Sequence, residues 1–134
     1  MAFMFVKSQI APNAPDLIWK TANTSETFKV GESLKLASDG SVTKCSGTVA
    51  PKYVCMAEYV APSSGAKAIP VTEINAGQMY EVPLQAAGTS LVIGDKVTIH
   101  TDGLQVTATT TNGVAEIVKI NGTSVGDTVV VHLA

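Results

Sequence analysis

Turn signals recur along this chain at short intervals: Asp39-Gly40, Asp102-Gly103, Asn112-Gly113, Asn121-Gly122 and Gly126-Asp127. Asn-Gly and Asp-Gly supply the positive backbone angles that tight hairpins need, so each pair is a strong local signal for reversal. The residues between them are rich in Val and Thr, which are stiff at the first side-chain torsion and favour extended backbone. A chain punctuated this often has room only for strands of about four to seven residues. The expected fold is all-β, a compact β-barrel or sandwich of short antiparallel strands.

The candidate strands are Thr27–Val30, Ser33–Ala37, Val42–Cys45, Tyr53–Tyr59, Ala68–Val71, Met79–Pro83, Lys96–His100, Gln105–Thr109, Ala115–Ile120 and Thr128–Leu133. Val97 and Ile99 share one face of Lys96–His100 while Lys96, Thr98 and His100 share the other, which describes a strand with one buried face. Tyr53–Tyr59 is more continuously apolar and reads as buried on both faces. Ala61–Ala66 is a loop by composition. Short helices at Ser25–Lys29 or around Glu73–Gly77 are alternatives that lack the length to stand alone.

The first 26 residues differ from the rest. Pro12 and Pro15 remove backbone donors and restrict their predecessors, which excludes a continuous helix or central strand. Yet the segment is too apolar for an idle tail. It reads as an extended N-terminal arm over 1–26, preceding a single β domain over 27–134. Such an arm packs on its own domain or on a neighbouring subunit. The residues expected to bind a partner are Phe3, Phe5, Val6, Ile10, Ile18 and Trp19, because aromatic and large aliphatic side chains bury much area at small entropic cost.

The chain repeats itself. Gly31-Glu-Ser-Leu-Lys-Leu-Ala-Ser-Asp-Gly40 matches Gly94-Asp-Lys-Val-Thr-Ile-His-Thr-Asp-Gly103, and Gly126-Asp-Thr-Val-Val-Val-His132 is a shorter third copy. The unit is a Gly-acid turn, a strand and an Asp-Gly turn. Register fails afterwards, with Leu104 and Val106 opposite Ser41 and Thr43. Three short copies are too few for a solenoid and suit recurring hairpins.

Composition narrows the function. Of 134 residues 46% are apolar, which opposes disorder, and only 15% are charged, so Thr, Ser, Asn and Gly must cover the surface. A net charge of −2 with no Arg argues against nucleic acid as a partner. No apolar run approaches the roughly 20 residues of a membrane helix. Lys7, Ser8 and Gln9 interrupt the apolar start before a signal sequence forms, so synthesis in a cytoplasm is expected.

Chemistry-bearing patterns are sparse. Cys45 and Cys55 are too few for a disulfide scaffold or a zinc site. His100 and His132 each lie six residues after the Gly of a Gly-Asp pair, on the strand face opposite the valines, and no acid stands at a persuasive spacing for a shared metal. Asp39, Asp95, Asp102 and Asp127 sit in turns, where each side chain can bond its own backbone. There is no Gly-x-Ser-x-Gly elbow and no phosphate-cradling glycine loop. An enzyme is not expected, nor is a metal or other cofactor. The Gly-Asp strands are also similar to lipoyl and biotinyl carrier domains, but the hairpin tips here hold no lysine.

Gly31-Glu-Ser-Leu-Lys-Leu, then Asp39-Gly40-Ser-Val-Thr-Lys-Cys, then Tyr53-Val-Cys-Met-Ala-Glu-Tyr resembles the start of small capsid decoration, or cement, proteins of tailed bacteriophages and prophages. Gly94-Asp-Lys-Val-Thr-Ile through Leu133 looks like their closing strands. The resemblance covers roughly 27–134. It implies a non-enzymatic structural protein made in the bacterial host cytoplasm and bound to the capsid exterior of the virion. Its partner would be the major capsid protein, which it would bridge and stabilise, usually as a homotrimer. The alternatives are a ligand- or carbohydrate-binding β module and another virion component, such as a tail accessory protein.

Overall fold

The structure is a computed structural model that describes residues 2–9 and 15–134. The described residues form twelve strands and no helix. The strands are β1 (Met4–Ser8), β2 (Leu17–Thr21), β3 (Thr27–Phe28), β4 (Ser33–Leu36), β5 (Val42–Lys44), β6 (Tyr53–Cys55), β7 (Tyr59–Val60), β8 (Ala68–Glu73), β9 (Gln78–Pro83), β10 (Lys96–Val97), β11 (Ala115–Ile120) and β12 (Thr128–His132). They build one sheet in the order β1-β9-β12-β11-β10, a second in the order β2-β8-β6-β4-β5, and a small β3-β7 pair. All strand pairs are antiparallel.

Alternation along the strands explains the packing. Tyr80 and Val82 of β9, Val129 and Val131 of β12, Ile117 of β11 and Val97 of β10 turn to one face of the first sheet and form a core with Phe3 and Val54. Isolated bridges from Ile99 to Val106 and from Val106 to Leu84 bring the far end of this sheet back toward β9. The sheet therefore curls around its core without closing into a barrel. A second core, including Phe28, Leu34, Val42, Tyr53, Cys55 and Val71, fills the space between the second sheet and the β3-β7 pair. The double burial expected over Tyr53–Tyr59 holds only for its first three residues: Tyr53 and Cys55 enter the second core and Val54 the first, while Met56 and Glu58 are exposed.

Several expected elements are shorter or different. The strand expected over Thr27–Val30 ends at Phe28, because Lys29–Glu32 is a turn. Tyr53–Tyr59 is two strands, β6 and β7, belonging to different sheets. Gln105–Thr109 keeps only the bridges at Val106. Neither short helix forms; residue 73 ends β8 and the segment to Gly77 is a turn with positive φ at Gly77.

The internal repeat is structural. Glu32, Asp95 and Asp127 each donate their N–H to the carbonyl three residues earlier, at 3.1, 3.1 and 3.0 Å. The glycines before them have φ of 83°, 99° and 89°. This is the type II turn, which requires positive φ at its third residue and so favours glycine. All four turn aspartates bond locally as expected: Asp39 accepts from Ser41 N, Asp95 from Val92 N, Asp102 from Leu104 N and Asp127 from Ser124 N, at 2.9–3.0 Å.

Candidate attachment face

The described part of the N-terminal segment supplies one edge strand to each large sheet. β1 pairs with β9, with a register shift between Phe5 and Lys7, and β2 pairs with β8 from Leu17↔Thr72 to Thr21↔Ala68. The N-terminal strands thus pack on their own domain. Proline content argued against central strands, and edges are where such segments fit. Nothing in the turn signals marked them as strands.

Between the two edges lies an apolar cleft of about 330 Å³, lined by Phe5 and Tyr80 on one side and by Leu17, Val30 and Met56 on the other. The Phe5 and Tyr80 rings meet edge to face, 5.9 Å between centroids and at 76°. Tyr80 Oη donates to Gln78 Oε1 at 2.8 Å, and burial pushes its phenol up to about 12. The floor is therefore fixed by packing and by a satisfied polar group.

The expected partner-binding residues divide. Phe3 is only 2% exposed and belongs to the first core, so the surface role expected of it is corrected: its ring is spent on packing. Phe5 is half-buried against the same core, and Ile18 is half-buried against the second. Val6 and Trp19 are exposed, Trp19 at 65%. Ile10 lies outside the described residues. Sequence reasoning passed over Met4, Leu17, Val30 and Met56, all exposed large apolar residues that line the cleft. The signal was present in Leu17-Ile18-Trp19-Lys20-Thr21, where strand alternation puts Leu17 and Trp19 on one face. Their exposure contrasts with half-buried Ile18 and Lys20.

On the opposite side of β2, charge lies against an aromatic surface. The ammonium groups of Lys20 and Lys52 lie 5.6 and 6.0 Å from the Tyr53 ring centroid. Elsewhere the reactive side chains are spread out. Among the described residues no three His, Cys, Asp or Glu side chains gather into a metal-binding group. Cys45 and Cys55 are free, buried thiols that donate to the carbonyls of Val49 and Ala57. Burial pushes both up to about 11. His132 places Nδ1 3.1 Å from the Gln78 carbonyl. Among the described residues no helix is long and apolar enough to cross a membrane.

What this arrangement can do chemically is bind. It offers an apolar hollow lined by exposed aliphatic and thioether groups, with the exposed Trp19 indole on the same strand as Leu17. Neither the models of known protein families nor the curated proteins searched match this chain.

Proposed function

We propose that this protein is a structural virion component of a tailed phage or prophage that binds the outer surface of the capsid and stabilises it by bridging major capsid proteins. The exposed apolar face around Leu17 and Trp19 carries the proposal, together with the sequence resemblance to decoration proteins. A folded domain that leaves an indole and several large aliphatic groups on two adjacent sheet edges is suited to covering them with another protein. Edge strands also offer unpaired backbone groups for strand addition. A homotrimer would repeat the face three times, so that weak single contacts sum to firm attachment.

The test is thermal. Capsid shells of the encoding phage, emptied of genome, are heated with and without the purified protein. Bound protein raises the temperature at which the shells rupture; an unchanged rupture temperature at saturating protein refutes the proposal.

The cleft favours one second reading, a module that takes a small apolar ligand between β1 and β2. Under that reading an apolar dye such as 1-anilinonaphthalene-8-sulfonate binds once per chain and is displaced by an aliphatic ligand, and the shells are unaffected.

A further inference from the structure

Glu32 breaks the pattern of its own repeat. In the other two copies the acid is Asp, and its carboxylate folds back onto the first N–H of the turn. Glu32 is one methylene longer: its carboxyl still faces the Lys29 N–H, the first of its turn, but the whole side chain is buried. It is 1% exposed, and its Oε1 has no hydrogen-bond partner among the described residues. Its Oε2 lies 3.8 Å from Lys44 Nζ, beyond hydrogen-bond distance. A buried carboxylate without full partners is costly when ionised and cheap when protonated.

The surroundings make this a seam. A Cβ added to Gly103 would sit 3.1 Å from Glu32 Cγ and 3.1 Å from Lys44 Cγ, so the hairpin turn at Gly103 packs against the stems of both side chains. The main chain beside Glu32 ties three segments together. Ser33 N–H donates to Gly103 at 2.9 Å, Cys55 N–H donates to Glu32 at 2.8 Å, and Phe3 N–H donates to Gly31 at 3.0 Å. Gly31 has no room for a side chain, because an added Cβ would collide with Ala2.

We propose that Glu32 is a proton-operated latch: protonated, it stays under Gly103 and holds the seam closed; ionised, it is drawn toward water and loosens the 29–32 turn and the N-terminal strand hung from it. The groups facing it are Lys44 from β5, Cys55 from β6, Glu26 from the loop before β3, and Lys29 from its own turn. From the hairpin, Asp102 faces its own turn, accepting from Leu104 N and Gln105 Nε2. Glu26 already accepts from Thr43 Oγ1 and Lys44 N, so it adds negative charge without solvating Glu32. Burial, the dominant cause, pushes the Glu32 carboxyl up to about 7; Lys44 opposes this and Glu26 reinforces it. The folded state therefore holds the proton more tightly than the open state. Closure is favoured at low pH and weakens as pH rises from the ordinary glutamate value of 4.5 through about 7. The latch stands independently of what the cleft binds, although Val30 and Gly31 carry its effect to the cleft wall.

Amide hydrogen exchange tests it on the intact chain. Protection factors of Phe3 and Ser33, corrected for intrinsic rates, should fall about tenfold between pH 6 and pH 8. In Glu32→Gln they should hold constant across the same range. Equal protection in the wild type at both pH values overturns the latch, and so does a matching fall in the variant. If the variant does not fold, the carboxyl carbon shift of Glu32 in the wild type decides: a titration midpoint near 7 is expected, and one near 4.5 overturns the proposal.

Discussion

Ser33 binds the carbonyl of Gly103 twice, through its N–H at 2.9 Å and its hydroxyl at 3.1 Å. The same hydroxyl lies 2.7 Å from the Cys45 carbonyl. One fully buried side chain thus joins β4, the end of β5 and a hairpin 70 residues away. Ser33→Ala keeps the N–H bond and removes the hydroxyl from both carbonyls. The expected loss is about 1–2 kcal/mol, since buried acceptors lose partners without gaining water. Urea unfolding measures it, and a change below about 0.5 kcal/mol would show that the seam does not depend on this hydroxyl.

Two glycines should respond differently to alanine. At Gly113 the added methyl would collide with the main chain of Lys96 and Val97, where backbone cannot yield without breaking the β10–β11 pairing. At Gly65 it would meet nothing, and only the positive φ of 72° is unfavourable. Gly65→Ala should cost about 1 kcal/mol. Gly113→Ala should cost well over about 3 kcal/mol, or prevent folding. Thermal melts rank them, and equal melting temperatures would contradict the packing described.

Both thiols should be inert in the native protein. Each is buried, donates to a carbonyl and is held in its neutral form by burial, whereas thiolate is the reactive species. A disulfide-exchange reagent at pH 8 should label no thiol in buffer and two per chain in denaturant. Fast labelling of either in buffer would place it outside the cores.

Much of the fold was legible because its turns are chemically explicit. The Asp and Gly pairs mark reversals whose geometry only those residues adopt cheaply, and Val97 with Ile99 and Val129 with Val131 declare their inward face by alternation. Val42 and Val106 are both buried, yet they stand three and four residues after their turn aspartates, which is why the copies lose register there. β1 and β2 were hidden because an edge strand with exposed apolar groups has no clean polar face. Leu17-Ile18-Trp19 looks like a uniformly buried run until Ile18 alone is seen to enter a core. Phe3 was misjudged for the same reason, since nothing local separates an arm that covers its own core from one that reaches outward. The position of Glu32 could not be read at all. As a letter it is equivalent to Asp95 and Asp127, and only the extra methylene and the Gly103 hairpin send it inside.

Self-association should accompany attachment, through surfaces other than the face around Leu17 and Trp19. Light scattering over a range of concentrations is expected to show mass rising toward three chains. Leu17→Ser with Trp19→Ser should leave the trimer intact, because the face is reserved for the capsid, and loss of the trimer in the variant would show that the subunits bury the face between themselves. A strict monomer at every concentration would remove self-association in solution from the account.

The central claim is attachment to a shell through the face around Leu17 and Trp19, and sedimentation tests it most directly. Purified protein is spun with capsid shells of the encoding phage, and the bound fraction is read from the pellet. Wild type should saturate at a fixed ratio to the major capsid protein. Trp19→Ala, remaining folded because its ring is exposed, should bind at least about 30-fold more weakly, as expected for a central aromatic anchor worth about 2 kcal/mol. Wild-type protein left wholly in the supernatant, or a variant binding as tightly as wild type, would contradict the account.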